Sequence, residues 1–159
     1  MASPFRAIQS ALAEWSVKML PVLVEAVRKE APSGGTRQLA MFSGQDAMTT
    51  LAASIRGRAR GTAGTARMEV LAGVSYAIII RDGRGTVVPK KAKVLHWVNE
   101  AGEDVYAMSS GPVAANPYPA RGYAKVRDQI RADLRDRMAQ AAVQELLQTA
   151  KSGGMLTRL

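Results

Sequence analysis

The apolar residues Val126, Ile130, Leu134, Met138, Ala142 and Leu146 recur every four positions, and Tyr123 and Leu147 widen the stripe. A period near that of the α-helix makes this one face of a long amphipathic helix over 119–151, stopped by Ser152-Gly153-Gly154. Asp133 with Arg137, and Asp128 with Arg131, stand at ion-pair spacing along it, each pair worth about 0.3 kcal/mol. So long a helix needs a partner surface, and the rest of the chain has to supply it.

Part of that surface comes from the other end. Ser3 followed by Pro4 is a helix start: the serine caps free amides and the proline takes a position where its missing N–H costs nothing. Phe5, Ile8, Leu12, Trp15 and Met19 then recur at intervals of three and four. Pro21 falls inside the pattern and predicts a kink or a split, after which Val22, Leu23, Val24 and Val27 carry the apolar surface on to Glu30. The run Ala31-Pro32-Ser33-Gly34-Gly35 ends it, and residues 36–50 lack periodicity and read as a loop.

Between the helices the pattern is that of strands and turns. Residues 55–60 alternate, residues 66–71 and 74–80 read as strands around turn glycines, and Asp82-Gly83 with Gly85 marks a turn before residues 86–88. Residues 94–98 and 105–108 give two further strands around Gly102. Residues 111–119, with three prolines, form an extended connector. The expected fold is a single α+β domain over 1–159: a helical segment 1–30, a loop or insert 31–50, an antiparallel meander sheet 51–110, a C-terminal helix 119–151 and a tail 152–159.

With 159 residues, a 47% hydrophobic fraction and 22% charged residues, the chain has the composition of a globular protein with a core of its own. It has no cysteine and a single histidine, His96, which excludes thiolate zinc sites, iron–sulfur clusters, a Cys nucleophile and a multi-histidine metal centre. The start Met-Ala-Ser-Pro-Phe-Arg has no apolar signal core, and no apolar run reaches the roughly 20 residues of a membrane span. A soluble protein, not secreted and without membrane contact, is expected.

The net charge of +9 implies an anionic partner. Between residues 52 and 93 nine basic residues face two acidic ones, a net +7, while residues 1–30 carry only +1. Arg56, Arg58 and Arg60 share strand parity and so project from one face as a row. That row fits phosphate or the acidic surface of another protein, and equally fits a solvated face or edge charges that prevent aggregation. Lys90, Lys91 and Lys93 follow Pro89 in a loop that either contacts nucleic acid or keeps a hairpin soluble. Arg84 lies in Arg81-Asp82-Gly83-Arg84-Gly85, a turn lacking the phosphate-loop pattern. Zinc-finger, basic-zipper and helix-turn-helix patterns are missing, and 5% aromatic content is poor for stacking single strands.

No catalytic constellation stands out. His96 beside Trp97 reads as packed or exposed, and a hydrolase pairing His96 with an acidic partner is the weakest reading. Glu100, Glu103 and Asp104 straddle Gly102 and read as solvated turn residues. Trp15 and the eight methionines read as core or subunit contacts. No cofactor and no metal are expected.

Four motifs in order carry a resemblance. They are Ala31-Pro32 with Leu51-Ala52-Ala53-Ser54-Ile55; Gly73-Val74-Ser75-Tyr76-Ala77; Gly83-Arg84-Gly85 through Pro89-Lys90-Lys91-Ala92-Lys93-Val94-Leu95; and Asn116-Pro117-Tyr118-Pro119-Ala120. Over about residues 30–135 the chain resembles the small head–tail joining and tail-completion proteins of long-tailed bacteriophages, the gene-product-ten-like family of lambdoid phages. It departs from them in the longer segment 33–50 and in Tyr118-Pro119, where members usually have Phe and an aliphatic residue. The resemblance implies a non-enzymatic ring subunit of the virion neck, in six copies, assembled in the host cytoplasm. Its neighbours would be copies of itself, the head connector or stopper, the tail tube protein and, in the lumen, packaged DNA. Contact candidates are Arg56, Arg58, Arg60, Arg84, Lys90, Lys91, Lys93 and Tyr118. Residues 35–50 and 89–93 are expected to act as docking arms. The alternative is a basic nucleic-acid-binding protein acting outside a virion.

Overall fold

The computed structural model describes residues 6–32, 51–62, 65–98 and 101–152. The elements run α1 (Arg6–Glu30), α2 (Leu51–Ser54), β1 (Ile55–Thr62), β2 (Thr65–Ala72), α3 (Ala77–Asp82), β3 (Leu95–Val98), β4 (Asp104–Ala107) and α4 (Tyr118–Ser152). The Ser3-Pro4 start, the loop expected over 36–50 and the Gly153-Gly154 stop lie outside the described residues.

The class is α+β, with antiparallel strands between an N-terminal and a long C-terminal helix. The strands form two separate two-stranded sheets, β1–β2 and β3–β4, where a continuous meander was expected. Among the described residues the isolated bridges Arg84–Val113 and Val87–Ser110 join the segment before β3 to the segment after β4, so residues 86–88 hold a bridge and not a strand.

Helix α1 is the centre of the core. Trp15, Met19, Leu23, Val24 and Val27 cluster with Leu51, Ile55, Val74, Tyr76, Ala77, Ile80, Tyr118 and Ile130. Along α4 it runs antiparallel, held by Lys18–Asp133 at 3.0 Å, Arg137–Glu14 at 3.7 Å and Arg121–Glu30 at 3.1 Å, with Lys125 also on Glu30. Arg121 and Lys125 hold the Glu30 carboxyl below its ordinary range, chiefly by hydrogen bonding. Within α4, Asp133 stands 3.9 Å from Arg137 as expected, whereas Asp128 meets Arg127 rather than Arg131.

Pro21 does not split α1. It sits on the exposed side, as does Val17, whose carbonyl it deprives of an amide, so water can take that bond.

The expected strand over 74–80 is instead a turn leading into α3. The Ala77 amide donates to the Val74 carbonyl at 3.2 Å and the Ile80 amide to the Tyr76 carbonyl at 3.1 Å. Val74, Tyr76, Ala77 and Ile80 are buried while Ile78 is 62% exposed, a helical and not an alternating pattern. Gly83 ends α3 with φ +76°, its amide donating to the Ile79 carbonyl. A side chain there would press on the Val113 carbonyl, so glycine lets residues 113–115 cross the helix end.

Candidate functional site

The first ribbon has two unlike faces. Its inner residues Ile55, Ala66, Met68 and Val70 pack on the core, and Gly57 lets β1 approach α1 so closely that a Cβ would stand 2.5 Å from Val24 Cγ2. Arg28 of α1 donates to the Ile55 carbonyl from both Nη2 (2.7 Å) and Nε (3.2 Å), pinning the start of β1. Strand alternation then sends Arg56, Arg58 and Arg60 to the opposite side, where all three are exposed.

The register extends this row. Arg56 pairs with Leu71, Arg58 with Glu69 and Arg60 with Arg67, so Arg67 joins the same outer face. Glu69 is the one carboxylate there, 3.2 Å from Arg67 and 3.9 Å from Arg60. Four guanidiniums thus share a face with one carboxylate, which two of them reach, and among the described residues Arg56 and Arg58 have no ion pair. Arg67 was missed as a candidate because its place follows from the hairpin register and not from spacing along the chain.

The remaining candidates do not converge on this face. Lys90, Lys91 and Lys93 are exposed in the segment before β3. Arg84 is a structural residue: its backbone bridges Val113 and its Nη2 donates to Ser110 Oγ at 2.8 Å. Tyr118 is 4% exposed, which raises the pKa of its phenol, and it packs in the core instead of presenting a contact. It lines, with Leu71, Gly73, Ile78 and Arg81, an open cleft of 580 Å³. Arg81 is engaged there by Asp82 through two 2.7 Å hydrogen bonds. Residues 35–50, the first expected docking arm, lie outside the described residues.

On the second ribbon His96 Nε2 lies 2.8 Å from Asp104 Oδ1 and the ring stacks on Tyr106 at 4.6 Å. Both members of the pair are about half exposed. Among the described residues no hydroxyl is hydrogen-bonded to the ring, so the third member of a nucleophilic triad is missing there. Glu100 lies outside the described residues, and among those described no group of three or more His, Asp or Glu could hold a metal ion. No helix among them is long and apolar enough to cross a membrane.

Comparison with known proteins finds no matching family model, no matching curated protein and no matching solved structure.

Proposed function

We propose that this chain is a structural, non-enzymatic subunit of a bacteriophage virion neck, a ring-forming tail-completion or head–tail joining protein at the proximal end of the tail tube that docks to the head connector. The observation that carries the reading is the outward arginine face of β1–β2. It is exposed and cationic, with Glu69 its sole carboxylate among the described residues. Such a face suits an acidic ring of a neighbouring protein, or the wall of a lumen through which DNA passes. The motif order that resembles the lambdoid family supplies the assembly: six copies between connector or stopper and tail tube protein, with packaged DNA inside.

The two-stranded sheets support a ring. Every strand of β1–β2 and β3–β4 has one unpaired edge among the described residues, a hazard for an isolated monomer and a joint when a neighbouring subunit covers it.

Replacing Arg56, Arg58 and Arg60 together with alanine tests the reading in a phage that depends on this chain. The side chains are exposed, so folding is kept. Tails should form and fail to join heads. If joining is normal and the variant instead loses retention of DNA in a gel shift, the chain is a nucleic-acid-binding protein acting outside a virion.

A further inference from the structure

We infer that the C-terminal half of α4 pairs with the same segment of a second copy of this chain, through a seam turned away from α1. The inner face of this segment is defined: Ala141 is 4% exposed, and the Glu145 carboxylate accepts a 3.1 Å hydrogen bond from the Ala7 amide of α1. Val143 lies about 200° round the helix from Ala141, and Leu146 and Leu147 stand beside it. They are 54%, 70% and 50% exposed. Helix α4 therefore carries apolar residues on two opposing faces, and α1 covers only one of them.

The spacing of the outer face is that of a helix–helix seam. Ala139, Val143, Leu146 and Ala150 stand at intervals of four, three and four, the alternation that keeps one stripe facing a partner helix. Small residues at its two ends let a second helix come close, and Val143 and Leu146, with Leu147 beside them, fill the middle.

Charge selects the occupant. The chain carries +9, and its ribbon face is cationic, so two copies meeting there repel. Residues 138–150 contain a single charged side chain, Glu145, which is turned to α1. This surface of the molecule can meet its own copy without opposing like charges, and it offers a strongly acidic or basic partner nothing to pair with. The contact is self-complementary, so alone it joins chains in twos and does not close a ring. It stands independently of the neck reading.

The test is the mass of the full chain by light scattering across a concentration series, compared with a variant carrying Val143→Gln, Leu146→Gln and Leu147→Gln. The wild-type mass should be an even multiple of 17.0 kDa, and the variant should have half of it with unchanged helix content and melting temperature. A wild-type chain that stays single at every concentration overturns the inference, as does an assembly whose mass the substitutions leave intact. Rings of half the wild-type mass would support the seam and leave the neck reading standing. A paired chain that never forms rings would support the seam alone.

Discussion

Gly122 sits where α4 crosses α1, and replacing it with alanine sets two effects of opposite sign against each other. By helix propensity alone the change should stabilise, since alanine is favoured over glycine by up to about 1 kcal/mol within a helix. Packing says the reverse. An added Cβ would stand 2.6 Å from Val27 Cα, 2.8 Å from Val27 N and 2.9 Å from Val27 Cγ2. Two of these are backbone atoms of α1, which cannot rotate aside, so the helices must move apart along a contact that buries Val27, Tyr118 and Ile130. Overpacking costs about 1–3 kcal/mol, and because the obstacle is backbone the upper part of that range, about 2–3 kcal/mol, applies here, leaving a net loss of about 1–2 kcal/mol after the propensity gain. In a chain of this size that lowers the melting temperature by roughly 2–8 °C. Thermal and urea unfolding followed by circular dichroism measure it, with exposed Ala132→Gly as the control for propensity alone. A Gly122→Ala protein as stable as the wild type, or more so, would refute the close crossing of α1 and α4.

Gly57→Val should destabilise by about 1–3 kcal/mol in spite of the higher strand propensity of valine, because the side chain meets Leu20 and Val24; urea unfolding reads this, and a gain in stability would contradict the packing of β1 on α1. Gly83→Ala places a Cβ 2.7 Å from the Val113 carbonyl at a φ of +76°, so a loss of about 2 kcal/mol is expected in the same assay. The Glu30 carboxyl has a folded pKa below its unfolded one. Its contribution is complete above the unfolded value and is lost as pH falls through the folded value. Glu30→Gln should therefore flatten the acid limb of the stability profile, and an unchanged acid limb would count against the Arg121–Glu30–Lys125 cluster. In hydrogen exchange on the isolated protein, amides of residues 90–93 should exchange fast, and strong protection there would argue against a docking loop.

The long helices were legible because their apolar positions repeat over many turns. The strand over residues 74–80 was not, because its run of Val, Tyr and three isoleucines is apolar at nearly every position and β-branched residues weighed toward a strand. Burial of Val74, Ala77 and Ile80, three apart, reveals the helical period only once the partner surface is known. The arginine row followed from alternation, and Gly57 explains its direction: only the face with glycine and small residues can lie on α1. Tyr118 was misplaced as a contact because only the resemblance around residues 116–120 put it there, while the fold drives its ring into the core. The partner side of α4 was half legible. Val126, Ile130, Leu134 and Met138 mark the face on α1, but Leu146 and Leu147, counted in the same stripe, turn to the opposite side and are exposed.

The neck reading turns most directly on electron imaging of the purified full-length protein at assembly concentrations. Closed rings of uniform diameter with an open lumen and six-fold averages are the predicted result. Particles without a lumen, or single chains at every concentration, would contradict it.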